Sequence, residues 1–210
     1  GCGALGHFIS MRANTQKAQR FFRPKPPEPI SDLSVDLDPD ILFFEDGKVF
    51  SKKLNEFYLA DPHLINSQQN SFLRHKLFEQ KKNAQDMLSM AEIGFGLGLN
   101  FVILLKNWDA IIGKGKRLHY FAIENFPLSK NNLQLAQKKF PHLAKEYQEL
   151  IDRYPPIHTG FHRIWLRSGT ISLTLIFEPT LRGLCQIEGS FDAWFLSQFS
   201  CQSVPDNWSP

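Results

Sequence analysis

The chain has 210 residues, 42% of them hydrophobic and 21% charged, an ordinary globular composition long enough for one full core. Its net charge of +3 is too slight to point to nucleic-acid binding by itself, and no apolar run reaches the length of a membrane span. Three scattered cysteines (Cys2, Cys185, Cys201) form no disulfide or zinc pattern, so no metal, no membrane partner and a reduced, cytoplasmic setting are expected.

The charge is uneven. Residues 1–30 carry five basic groups (Arg12, Lys17, Arg20, Arg23, Lys25) against Glu28, a balance of +4, which leaves −1 for the rest. Gly1-Cys2-Gly3-Ala4-Leu5-Gly6 matches a dinucleotide-binding pattern literally, but no strand can precede it, and the strand makes that motif work. Residues 1–30 therefore read as a basic, Pro-rich, disordered arm, either solvated or touching RNA. Residues 31–86 read as an extension. Ile41–Phe44 and Val49-Phe50 flank Asp46-Gly47 as a hairpin, residues 54–64 as a helix or irregular segment, and Phe72, Leu73, Leu77 and Phe78 share helical spacing.

From residue 87 to 210 strands and helices alternate. An apolar run from Met87 ends in Glu92. Gly94, Gly96 and Gly98 follow at alternate positions, then Asn100 and the apolar Phe101–Leu105. This predicts a buried strand, a tight glycine loop and a helix to about Trp108. Alternate glycines let the loop turn sharply and let a ligand approach bare backbone. The helix start offers free N–H groups and the positive end of its dipole, which suits a carboxylate or phosphate. The Gly-x-Gly-x-Gly spacing points to S-adenosylmethionine rather than a dinucleotide; a glycine-rich turn without ligand is the alternative. Arg117–Glu124 is strand-like, Leu128–Phe140 and His142–Arg153 are helical, Phe161–Leu166 and Thr170–Phe177 form a hairpin around Arg167-Ser168-Gly169, Thr180–Ile187 is a short helix, and Asp192–Leu196 is a last strand. The alternation predicts an α/β fold, a mostly parallel sheet with helices on both faces and ligands beyond the strands' carboxyl ends.

Several residues at those ends carry polar chemistry. Glu92 either braces the loop or meets a ligand amine. Glu124 ends the next strand, where a carboxylate accepts both ribose hydroxyls of an adenosine; a solvated strand-end acid is the alternative. Glu178, before Pro179, is a candidate for an adenine amino group. Asp192 reads as a cap or a pocket acid. His158 and His162 lack the partners of a metal site and read as structural. Trp194 and Phe195 read as core, whereas Phe199 and Trp208 are candidates for stacking on a target base.

Together these segments resemble the methyltransferase domain of the bifunctional tRNA 5-methylaminomethyl-2-thiouridine biosynthesis proteins. Glu92–Phe101 looks like that family's first motif and Leu118–Leu128 like its second-strand motif. Gly160-Phe161-His162-Arg163, Leu173–Phe177, Asp192–Leu196 and Pro205-Asp206-Asn207-Trp208 follow in order, and Val49-Phe50-Ser51 resembles its N-terminal hairpin. The resemblance covers residues 41–210. It implies a Rossmann-like S-adenosylmethionine-dependent methyltransferase fold and, as acceptor, the aminomethyl group of a tRNA wobble uridine. Glu92, Gly94, Gly96, Gly98, Asn100, Glu124 and Glu178 would hold the cofactor. In relatives a flavin-dependent oxidoreductase domain follows and prepares the amine; no FAD is expected in this stretch.

Two departures stand out. Ser197 occupies the position of the family's active-site aspartate, so it is the candidate catalytic residue, and Glu178-Pro179 replaces the family's Gly-Asp. The family's domain also continues through a further helix and several strands beyond the position of Pro210. The resemblance therefore implies a sheet incomplete at its C-terminus, with an unpaired edge on the last strand. Two functions follow from it: a tRNA-modifying methyltransferase with impaired activity, or a non-catalytic relic that at most binds S-adenosylmethionine or tRNA.

Overall fold

The computed structural model describes residues 7–10, 41–43, 48–52, 56–59, 78 and 87–196. In chain order its strands are β1 (His7–Ser10), β2 (Ile41–Phe43), β3 (Val49–Ser51), β4 (Glu56–Leu59), β5 (Met87–Ile93), β6 (Arg117–Glu124), β7 (Gly160–Leu166), β8 (Ile171–Phe177) and β9 (Ala193–Leu196). Its α-helices are α1 (Leu99–Ile111), α2 (Lys130–Lys139), α3 (Ala144–Arg153) and α4 (Thr180–Cys185). Among the described residues, no helix is long and apolar enough to cross a membrane.

Six strands form one sheet in the order β1-β9-β5-β6-β8-β7. The four central strands, β9, β5, β6 and β8, are mutually parallel. Both edges are antiparallel: β7 pairs with β8, and β1 pairs with β9. Helices connect the parallel strands, as crossover connections require. The chain steps from β5 outward to β6 and β8, then returns to place β9 on the other side of β5. The topological switch point therefore lies at β5, beside the glycine loop, the position where open α/β sheets bind ligands. This is the Rossmann-like arrangement expected.

The two sheet faces differ. Leu88, Met90, Leu118, Tyr120, Ala122, Leu173, Leu175 and Phe177 lie on one face and pack against the helices. From α1 the cluster takes Phe101, Val102, Leu104, Leu105 and Trp108, from α2 Leu133 and Ala136, and from α3 Tyr147, Leu150 and Ile151. Burying one such large side chain contributes about 1.5–3 kcal/mol, so this face supplies most of the apolar burial. The chain writes the helix limits locally. Ser129 caps α2 by accepting from the Asn132 N–H at 3.3 Å, Pro141 opens the single 3-10 turn ahead of α3, and Tyr154-Pro155 ends α3.

The opposite face carries α4, which closes on it at one point. A Cβ added to Gly183 would lie 2.7 Å from Ile123 Cγ2. Gly→Ala in a helix gains about 0.8–1 kcal/mol of propensity, but overpacking against a branch rooted on the sheet costs about 1–3 kcal/mol. Gly183→Ala is therefore expected to lower the denaturation midpoint. In an Ile123→Ala background the same change becomes stabilising, because the clash is gone while the propensity gain stays.

Three expectations are corrected. Part of the 1–30 arm is ordered: β1 pairs along its four residues with β9, from His7 opposite Leu196 to Ser10 opposite Ala193. The last strand's outer edge is accordingly paired, because an edge of free N–H and C=O groups is a template for any strand within reach. The segment 54–64, expected as a helix or irregular chain, holds a strand where it is described. Its Glu56-Phe57-Tyr58-Leu59 forms β4 on the free side of β3, making the expected β2–β3 hairpin a three-stranded sheet. Aromatic residues favour a pleated surface with a partner strand at hand.

Candidate functional site

The glycine loop forms as a turn that only glycine accommodates without strain. Gly94, Gly96 and Gly98 have φ of 85°, 51° and 69°, all in the left-handed region. The Gly94 N–H donates to Ile123 O at 2.8 Å and extends the β5–β6 ladder by one step. The Gly98 N–H donates to Phe95 O at 2.8 Å, and α1 begins when Val102 N–H donates to Gly98 O at 2.9 Å. A Cβ on Gly98 would meet the Phe95 ring at 2.8 and 2.9 Å. Phe95 is itself buried, so the ring has nowhere to retreat.

Glu124 and Tyr147 bond the loop itself, and Glu92 ties its two flanks together through Asn100 and Tyr120. Glu92, 1% exposed at the end of β5, accepts from the Asn100 side-chain amide and from the Tyr120 hydroxyl, each at 2.8 Å. Glu124, 1% exposed at the end of β6, accepts from the Gly96 N–H and the Phe126 N–H, each at 2.7 Å, one on each oxygen. Tyr147 on α3 donates its hydroxyl to Leu97 O at 3.0 Å. A buried carboxylate is tolerable only when its oxygens receive donors, and both do. Burial, then the Glu92 charge and its hydrogen bond, push the Tyr120 phenol well above its ordinary range. Burial alone does the same for Tyr147. Both therefore stay protonated donors at neutral pH. Tyr120→Phe removes one donor from the buried Glu92, worth about 1.5–3 kcal/mol for a bond to a charged group. A melting temperature lower by roughly 3–10 °C is the expected result.

The expected site residues are thus brought together, with distinct roles. Glu92 braces the loop, one of its two expected roles, and the Asn100 amide is turned onto Glu92. Glu124 stands at the switch-point side of β6 as expected, but the Gly96 backbone expected to be bare is occupied by that same acid. Glu178 is buried at the end of β8, one residue past Phe177, which pairs with Glu124 in the ladder. It lies 3.6 Å from Arg182 Nε, one turn along the chain. Asp192 takes the cap reading: it accepts from Ser89 N–H at 2.9 Å at the amino end of the parallel strands, away from the loop. His162 Nε2 meets His158 O at 2.6 Å, and its ring centroid stands 4.9 Å from that of Phe177, both structural contacts. No group of His, Cys, Asp and Glu fit for a metal exists among the described residues. Phe195 is core, whereas Trp194 is only half-buried and packs on Phe191 at the far face, a correction that follows from strand alternation. Ser197, Phe199 and Trp208 lie outside the described residues.

Tyr120 and Tyr147 escaped the sequence reading. A lone tyrosine hydroxyl within the apolar run Leu118–Ile123 was the available signal for the first, since a buried hydroxyl needs a partner. Nothing local marks the second.

The donor set suits a nucleoside ligand with an acidic tail. The first-turn N–H groups of α1, ahead of the Val102 bond, point from the helix's positive end. Glu124 presents a carboxylate at the end of β6, anchored by the Gly96 and Phe126 N–H groups, and a carboxylate is an acceptor only, the chemistry that ribose hydroxyls need.

Sequence comparison with known proteins points to the same class of ligand. Residues 141–210 match a family model described as S-adenosyl-L-methionine-dependent methyltransferase. The tRNA 5-methylaminomethyl-2-thiouridine biosynthesis bifunctional protein MnmC of Pseudomonas entomophila is 31% identical over 169 residues, 79% of this chain and 26% of that protein. The protein of the same name from Magnetococcus marinus is 32% identical over 170 residues, 81% of this chain and 26% of its own length. The chain thus spans about a quarter of the length of these relatives. A crystal structure of MNMC2 from Aquifex aeolicus overlaps at a TM-score of 0.46 and 17% identity, covering 73% of this chain and 47% of that one. By these matches the chain is similar along about four fifths of its length to part of the MnmC proteins, and over residues 141–210 to the S-adenosyl-L-methionine-dependent methyltransferase family.

Proposed function

We propose that this chain binds S-adenosyl-L-methionine against residues 94–98 and transfers its methyl group to the aminomethyl nitrogen of a modified tRNA wobble uridine, in the cytoplasm. The observation that carries the reading is the contact between Glu124 and the Gly96 N–H at the sheet's switch point. It sets an acid able to accept ribose hydroxyls directly beside the start of α1, whose first-turn N–H groups lie ahead of the Val102–Gly98 bond. When bound, the cofactor supplies an electrophilic methyl on a sulfonium. The chain's own residues do the rest. The α1 N-terminus faces the carboxylate of the ligand, Glu124 accepts from its sugar, and Glu178 stands on the adenine side. Phe199 and Trp208 are the residues assigned to stacking on the target base.

The acceptor must present a lone pair, and primary amines are mostly protonated at neutral pH. The family resemblance puts Ser197 in the place of an aspartate. A hydroxyl can hydrogen-bond the amine but is no base at neutral pH. Transfer is therefore slow, driven by proximity more than by proton acceptance. The test is labelled methyl transfer to undermodified tRNA, run beside calorimetry with S-adenosylmethionine. Slow transfer with measurable heat supports the proposal. Heat without transfer, in this chain and in its Ser197→Asp variant alike, leaves a cofactor-binding domain without catalysis. No heat removes the proposal altogether.

A further inference from the structure

We propose that the sheet face opposite the core is a binding platform for unpaired RNA nucleotides, with Phe161 and Trp165 as stacking surfaces and Arg163 as the phosphate contact between them. The three residues alternate along β7, so their side chains leave the sheet on the same side. Phe161 is 49% and Trp165 50% exposed, and Arg163 is exposed. The two rings are spaced by four residues, about 13 Å of strand, with the guanidinium midway.

Arg163 is held in place yet keeps donors to give. Its Nε donates to Thr174 Oγ1 at 3.0 Å, and its guanidinium carbon sits 5.9 Å from the Phe121 ring centroid. Its Nη groups make no hydrogen bond or ion pair to the described residues. The surroundings are basic. His119 meets Trp165 edge-on at 6.5 Å between centroids. Burial first, then the charges of Arg163 and Arg117, lower the pKa of His119, which registers the positive field here. Asp192, at the amino end of the parallel strands, is engaged with the Ser89 N–H. A phosphate is the complementary charge.

The composition of the face separates RNA from a protein partner. Aliphatic Ile93, Ile123 and Ile176 line the carboxyl end of this face, where α4 packs on Ile123. Toward the amino end Ser172, Thr174, His119 and Arg163 lie instead among the rings of Phe121, Phe161, Trp165, Phe191 and Trp194. Aromatic planes interleaved with arginine suit splayed bases and their backbone. The platform also leads to the chemistry: Gly160 pairs with Phe177, so Phe161 lies at the end of the sheet that holds Glu124 and Glu178, and Trp165 lies further from it. The identity of the RNA rests on the proposed tRNA substrate; the platform itself rests on the face.

The test measures binding of a labelled anticodon stem-loop, its fully duplexed counterpart and a single-stranded DNA of the same sequence to the full chain, by fluorescence anisotropy across salt concentrations. Phe161→Ala and Trp165→Ala are each expected to weaken stem-loop binding by roughly 5–100-fold, the range for loss of one base–aromatic stack. Arg163→Gln should weaken it and reduce the slope of log affinity against log salt by about 0.7, one single-strand phosphate contact. The duplex should bind weakly and without dependence on the rings. Calorimetry with S-adenosylmethionine in each variant reports folding and tests the methyltransferase reading separately. Ring-dependent RNA binding without that heat would leave the platform standing and remove the reading. Unchanged RNA affinity in all three variants, no RNA binding, equal preference for the DNA, or a wild-type dimer that Trp165→Ala dissociates would overturn the platform.

Discussion

Replacing Glu124 with alanine is expected to remove measurable heat of S-adenosylmethionine binding. Two ribose hydroxyls would each lose a hydrogen bond to a buried, charged acceptor, about 1.5–3 kcal/mol apiece. At about 1.4 kcal/mol per decade, each loss weakens affinity roughly 10- to 100-fold. The same substitution frees the Gly96 and Phe126 N–H groups, both at 2.7 Å from this carboxylate, so the loop loses its anchor as well. Glu124→Gln separates the two effects. It keeps the shape and one acceptor oxygen, but offers an amide donor where the second N–H or hydroxyl needs an acceptor. Glutamine should therefore bind more weakly than wild type and more tightly than alanine, while retaining most of the wild-type stability. Equal affinity in wild type and alanine variant would place the sugar elsewhere.

The contrast between Glu124 and its partners explains how far sequence reaches. The strand–loop–helix from Met87 to Ile111 was legible because every signal lies within one short window: an apolar run, alternate glycines and a second apolar run. The mostly parallel sheet followed from the alternation of strands and helices, whereas the order of the strands came only with the structure. What the loop does with its neighbours was not legible, because the deciding contacts are distant in sequence. Gly96 meets Glu124 across 28 residues, and Leu97 meets Tyr147 across 50. The same limit hid β1, whose partner strand lies at the far end of the described chain. At β4 the window was too short for any period to show, and a neighbouring strand settled its conformation. The far face was missed for another reason. Alternation of strands and helices says that crossovers exist, not how much of each face they cover, and α4 has only six residues.

On the proposed reading of Ser197, placing a proton acceptor at that position is the change expected to act most on rate. A positioned acid–base group contributes typically 10²–10⁴-fold, so Ser197→Asp should raise single-turnover methyl transfer by about that factor, with little change in S-adenosylmethionine affinity. The pH dependence distinguishes this mechanism from a general improvement in binding. With serine, the rate follows the fraction of substrate present as free amine. It should climb close to tenfold per pH unit below the amine pKa, near 10 for an unperturbed alkylamine. With a carboxylate facing the nitrogen, the ammonium form has an acceptor within reach, and the rate at neutral pH no longer depends on the rare free amine alone. The advantage of the S197D variant should therefore be greatest near pH 7 and shrink as the pH approaches the amine pKa, where the lone pair is available without help. A constant ratio across pH would mean that the carboxylate positions the amine without accepting its proton.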